Sequence, residues 1–311
     1  MREKRNFAER TKALDSPEIR KKYFLVYEGE NTEVIYFDAV NELRNEVKIN
    51  PLIELVPVVR SYSENGWSNP KKIVNRVIQN IKENESGRIS YETILNWIME
   101  YFEDEKYIVN NRTLAKSMWN TLNWICDEKL NVSLNETADN PNEVCSTIFQ
   151  YLNEEKEFEN LIVDIEKIVK YGNFTYEKDI DKICFIVDRD WQSFSCEQYD
   201  YVVSQCEQKN YGLFITNPCF EFWLLLHFSD VTQLDKEKLL LNQSVTSKYV
   251  YTEYELRKHI KGFKKSKYDA SAFVRNIDTA IKNEKNFCED LKTLKNCVGS
   301  NIGILINEMR K

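Results

Sequence analysis

The chain alternates short continuous apolar runs with longer stretches in which apolar residues recur every three or four positions. That is the pattern of buried strands separated by helices with one buried face. Tyr23 to Tyr27 is the first run, rich in aromatic and β-branched residues. It stops at Glu28, turns through Gly29, and from Thr32 gives way to Val34, Ile35, Phe37, Ala39, Val40 and Leu43 at helical spacing. Leu52 to Arg60 alternates well enough for a second strand, with Pro57 suited to an edge or bulge. Asn69 and Pro70 make a helix start ahead of the stripe Ile73, Val74, Val77, Ile78 and Ile81. The strand pattern resumes at Asp181 to Asp190, which ends in two acids one residue apart. A helix from Cys196 to Lys209 and a strand over 212–216 follow, and Asn217–Pro218 then signals a turn into an apolar run reaching Phe228.

Residues 85–180 interrupt this order. Amphipathic, aromatic-rich segments around Tyr91 to Phe102, Leu114 to Ile125, Val144 to Leu152 and Phe158 to Tyr171 predict a helical insertion, with Trp97, Trp119 and Trp124 in its own small core. From 229 onward the chain is helical and polar. Thr252 with Glu255 suggests a capping box, Phe273, Ile277, Ala280 and Ile281 a helical stripe, and Ser300 to Met309 a terminal helix. Residues 1–21 are a basic arm. The fold class is therefore α/β, with a core over 22–84 and 181–230, an insertion over 85–180 and a helical C-terminal region over 231–311.

Charge sharpens this division. The net charge is −7, yet residues 85–180 hold 19 acidic and 9 basic residues, so the acidic surplus belongs to the insertion and the remainder is slightly basic. Any grip on a polyanion must be local, for instance through Lys264, Lys265 and Lys267. The eight cysteines show no zinc-like pairing and His227 and His259 are the only histidines, which argues against an ordinary zinc site and for reduced core thiols. No apolar run approaches bilayer length and the N-terminus lacks a secretory pattern, so the expectation is a cytoplasmic protein with no membrane partner.

The candidate chemistry sits where strands end. In open α/β sheets that rim binds ligands, and it carries Glu28 after the first strand and Asp188 and Asp190 after the third. On an extended backbone the two aspartates project to the same side. Three carboxylates offer hard oxygens suited to Mg²⁺ or Mn²⁺, an ion that serves phosphoryl transfer. Glu33 lies in the first turn of the following helix, where the helix dipole alone would favour an acid. Glu221 is a lone carboxylate in an apolar run, costly unless paired or bound to something.

The order strand–Glu–Gly, helix, strand, helix, strand–DxD, helix, strand resembles the TOPRIM domain of topoisomerases, primases and OLD-type nucleases. More specifically, Glu28-Gly29-Glu30-Asn31-Thr32-Glu33 with Tyr36 and Phe37, Asp188-Arg189-Asp190, and the phrase from Asn217 to Phe228 resemble the motifs of the RloB family. The resemblance implies a TOPRIM-like core with a mostly parallel sheet of about four strands flanked by helices. It implies Glu28, Asp188 and Asp190 as metal ligands, Glu33 as a second acid of the first motif, and Glu221 with His227 as neighbours. It also implies a Mg²⁺- or Mn²⁺-dependent nuclease acting on DNA or RNA in anti-phage defence, often beside an ATPase partner. Self-association stays open. The rival is a TOPRIM-fold binding or sensor module without turnover. The chain departs from the family pattern in the length of 85–180.

Overall fold

The computed structural model describes residues 20–29, 31–58, 69–105, 107–108, 112–154, 165, 168 and 176–311. Most of the basic arm, and the segment expected from Phe158 to Tyr171 apart from Ile165 and Ile168, lie outside the described residues. The chain divides into two compact units, one dominated by Asn75–Glu177 and the other by Lys12–Val59 with Lys178–Lys311.

The larger unit is an α/β layer structure. Strands β1 (Lys21–Tyr27), β2 (Ile53–Val58), β5 (Lys182–Asp188), β6 (Gly212–Asn217) and β7 (Gly299–Ser300) form one mixed sheet in the order β2-β1-β5-β6-β7. The first four run parallel, and β7 joins β6 in the opposite direction. The central strands are buried along nearly their whole length, which is why they read as continuous apolar runs. β2 pairs only with β1, and Pro57 sits on that edge opposite Leu25, where a missing N–H is tolerated. The fifth strand escapes sequence reading because two residues carry no period.

Helix α1 (Thr32–Glu42) buries Tyr36, Phe37, Ala39 and Val40, and α7 (Phe220–Leu225) buries every residue it has. Tyr36, Phe37, Phe220 and Trp223 meet at ring separations of 5.5 to 6.4 Å. Burying each such ring contributes about 1.5–3 kcal/mol. The apolar run to Phe228 thus yields a shorter helix than its length suggests. Helix α6 (Cys196–Lys209) starts at a capping box of Ser195 and Gln198. The box expected at Thr252 does not form. Helix α9 (Tyr251–His259) begins one residue earlier, and the Thr252 hydroxyl bonds Asn242 at 3.0 Å instead. The remaining helices of this unit are α8 (Lys236–Leu241), α10 (Ala270–Val274), α11 (Ile277–Glu284), α12 (Leu291–Leu294) and α13 (Ile302–Met309).

The smaller unit packs α3 (Tyr91–Asp104), α4 (Arg112–Trp124) and α5 (Pro141–Glu154) around Ile94, Ile98, Phe102, Leu122, Ile148 and Leu152, with a two-stranded ribbon of β3 (Ile89–Ser90) and β4 (Thr137–Ala138). Trp97 is buried there, as expected. Trp124 is not a core residue: it is 41% exposed, with the Lys129 ammonium over its ring. The helix α2 (Pro70–Ser86) carries the stripe from Ile73 to Ile81. No described helix is long and apolar enough to cross a membrane.

Candidate functional site

β1 and β5 are parallel neighbours, so their C-terminal ends emerge side by side. The Glu28 amide continues the ladder to the Ile186 carbonyl, and Glu28 Oε2 accepts the Asp188 N–H at 2.8 Å across 160 residues of sequence. That bond fixes the first carboxylate against the base of the second. On the other side β6 supplies Thr216, directly opposite Asp188, whose hydroxyl donates to Asp188 Oδ1 at 2.8 Å.

Two further acids close on the same place. Glu33, in the first turn of α1, is buried against Gly29 so tightly that a Cβ there would lie 2.0 Å from Glu33 Oε2. A side chain at position 29 would displace this carboxylate from its place. Glu221, in the first turn of α7, is 2% exposed. Its Oε1 meets Lys265 Nζ at 3.0 Å, and its Oε2 is buried with no hydrogen-bond partner.

The electrostatics record this crowding. Burial, then the charges of Glu33, Glu28 and Glu221, push the Asp188 carboxyl well above the ordinary carboxylate range, and the Thr216 hydroxyl only partly opposes them. The Cys219 thiol is raised for the same reasons, by burial and then by Glu221 and Asp188. Burial works against the Lys265 ammonium, but the fields of Glu221, Cys219 and Asp188 outweigh it and hold its pKa above the usual lysine value.

The other expected residues fall elsewhere. Asp190 is exposed beyond the end of β5 and accepts from its own loop, Gln192 N at 3.1 Å and Ser193 Oγ at 3.0 Å. The strand alternation that would have aligned it with Asp188 stops at Asp188. His227, which the resemblance gives with Glu221 as a neighbour of the metal ligands, lies in the core with both ring nitrogens engaged. Nδ1 meets the carbonyls of Trp223 and Leu224, Nε2 faces the Tyr36 hydroxyl at 3.0 Å, and burial lowers its pKa to about 4. It is therefore neutral at physiological pH and packs in the core. Lys264 and Lys267, expected to grip a polyanion, are exposed and bridge each other's backbone in a tight turn, and Lys265 rides that turn to Glu221. Thr216 carries no sequence signal of its own. Only the register of β5 against β6 reveals it.

Among the described residues no group of three or more His, Cys, Asp or Glu side chains is arranged to hold a metal ion. The donor chemistry still suits a hard divalent cation. Glu28, Glu33, Asp188 and Glu221 offer only carboxylate oxygens, their mutual repulsion is what a cation would relieve, and Glu221 Oε2 lacks any partner.

The family described as RloB-like protein matches residues 23–309, nearly the whole chain. No curated protein and no solved structure matches.

Proposed function

The chain belongs to the RloB-like family, and on that premise we propose that it is a metal-dependent nuclease built on a TOPRIM-type core, hydrolysing phosphodiester bonds in DNA or RNA. The observation that carries this reading is the convergence of Glu28, Glu33, Asp188 and Glu221 at the ends of two parallel strands, where the charges of the other three push the Asp188 carboxyl up. Glu28 and Asp188, with Glu33 and Glu221 beside them, would hold Mg²⁺ or Mn²⁺. When bound, such an ion supplies charge neutralisation at a phosphoryl group and lowers the pKa of a water. The protein's own part is orientation. Thr216 fixes the rotamer of Asp188, the Asp188 amide fixes Glu28, and Gly29 admits Glu33. Lys265 brings a half-exposed ammonium to the edge of the acids, where it would meet a phosphate oxygen.

The proposal extends to the setting the resemblance implies: a cytoplasmic anti-phage effector working with an ATPase partner, its residues 85–180 an insertion into the nuclease core. The second reading is a binding or sensor module without turnover. It is favoured by the outward turn of Asp190, whose carboxylate accepts from Gln192 and Ser193 of its own loop.

The experiment that separates them is incubation of the purified chain with transfer RNA, single-stranded DNA and plasmid in Mg²⁺ or Mn²⁺. The nuclease reading expects cutting that Glu28→Ala and Asp188→Ala each reduce by roughly a hundredfold or more, while Glu207→Ala, an exposed acid on α6, leaves it intact. Binding with no cutting under either metal favours the sensor.

A further inference from the structure

The residues that follow Asp188 and Thr216 along the chain, Arg189 and Asn217, wall a cavity of about 380 Å³ together with Trp191, Leu240, Leu241 and Asn296. The Arg189 amide bonds the Thr216 carbonyl at 2.8 Å, so the ladder that sets Asp188 beside Thr216 runs on into this wall. Within β6, backbone alternation turns Thr216 and Asn217 to opposite faces. The acids and the cavity are thus carried by the same two strand ends, one residue apart.

The wall is rigid where it is charged. Arg189 is 3% exposed, and its guanidinium donates to the carbonyls of Lys295 and Phe194 and to Cys196 Sγ while lying over the rings of Phe194 and Tyr199. Asn217 is fixed by donating to the Leu294 carbonyl at 2.7 Å. Lys295 is held by Asp200 at 2.6 Å and is no free phosphate clamp. The open side is apolar. Trp191 is 57% exposed, more than any other large apolar side chain among the described residues, and Leu241 is 42% exposed. An indole face left in water three residues beyond Asp188, over a cavity that also presents the amide of exposed Asn296, complements a flat ring with polar edges. The volume lies at the small end of the roughly 300–1,000 Å³ of ligand pockets. That suits one planar group and excludes a double helix.

We infer that this cavity receives one unpaired nucleobase, stacked on Trp191, of a strand whose phosphate lies over the carboxylate rim, so that the chain acts on single-stranded or locally unpaired nucleic acid. A base inside a duplex is already stacked on both faces and must first be extruded to enter. The inference rests on the phosphodiester reading of the rim.

The test uses the full chain with Ca²⁺ in place of Mg²⁺ and a labelled twelve-residue oligothymidylate, its duplex with oligoadenylate, and the same single strand carrying abasic sites. Wild type, Trp191→Phe and Trp191→Ala are compared, with tryptophan emission followed alongside. The expected result is tighter binding of the single strand than of the duplex or abasic strand, quenching that Trp191→Phe removes, and a loss of affinity of about 5- to 150-fold in Trp191→Ala, the usual worth of one base–aromatic stack, with Trp191→Phe between. Trp191 is exposed, so neither substitution threatens the fold. Equal affinity in Trp191→Ala and wild type, or duplex bound as tightly as single strand, overturns the base pocket whether or not the chain cuts. Stacking without cutting in any metal keeps the pocket and removes the nuclease. No binding of any of the three probes overturns both.

Discussion

Among the described residues a buried carboxylate packs against a glycine in two places, with opposite outcomes. At the strand ends Gly29 makes room for Glu33, and where α11 meets α13 Gly303 makes room for Glu284, whose Oε2 would lie 2.1 Å from an added Cβ. Glu284 is fully buried and accepts the Gly303 N–H at 3.1 Å, as an acid at a helix start should. Burial pushes its carboxyl up to about 8, the backbone and Ser300 hydrogen bonds oppose the shift, and Glu289 adds to it. Glu33 instead stands with Glu28 and Glu221 around Asp188, and the charges of all three fall on that one carboxyl. Burial of an acid is common to both places. Three neighbouring acids crowd Asp188, whereas Glu284 takes hydrogen bonds from Gly303 and Ser300 and a smaller push from Glu289, and that difference separates a structural carboxyl from a candidate site.

The largest effect expected from this contrast is a pH dependence traceable to Glu284. Its folded-state pKa is raised, so its stabilising contribution is complete below the ordinary value of 4.5 and is lost as pH climbs to about 8. Urea unfolding at successive pH values should show Glu284→Gln flattening a decline on the order of 2–5 kcal/mol across that window. A decline of the same size in the variant would assign it to other groups.

His227 supplies the opposite sign. Its folded-state pKa of about 4 lies below the ordinary 6.5, so its contribution is intact above 6.5 and fades as pH falls toward 4. Tyr36→Phe strips Nε2 of its partner within the core and should lower stability at pH 7 by about 1–3 kcal/mol in thermal or urea unfolding. Cutting by this variant, once corrected for folded fraction, should match wild type, since the ring packs away from the acids. A specific loss of cutting would return His227 to the site.

Smaller still is the expected effect on folding of neutralising a crowded acid. Asp188→Asn keeps an acceptor for Thr216 and removes one of the repelling charges, so calorimetry should find the melting temperature unchanged or raised while cutting falls. A clear loss of stability would mean that Asp188 holds the fold as Glu284 does. Glu221→Gln should shift stability by no more than about 1 kcal/mol, because the partner ammonium is half exposed.

What the sequence disclosed follows the same division. The buried strands were legible because unbroken apolar runs bounded by Glu28 and Asp188 leave few alternatives, and Glu221 stood out as an acid in an apolar run. The family motifs marked the rim. Four features were not legible. Asp190 shares a motif with Asp188, but extended backbone ends between them, and sequence cannot say where a strand stops to the residue. Thr216 acts only through register with β5. The charged turn at 261 to 268 reads as a helix flank, although its backbone bridge from Lys264 to Lys267 makes it a loop that carries Lys265 to Glu221. Glu284 and Gly303 announce themselves by no spacing, since their partnership exists only after α11 and α13 pack.

The most direct test of the central claim, that the acids at the ends of β1 and β5 form a seat for a divalent cation, is calorimetric titration of the apo chain with Mn²⁺. The account predicts saturable binding in wild type and in Glu207→Ala, and its disappearance when Glu28→Gln and Asp188→Asn are combined in a chain that still melts cooperatively. Undiminished binding in that double variant, or none in the wild type, would contradict it.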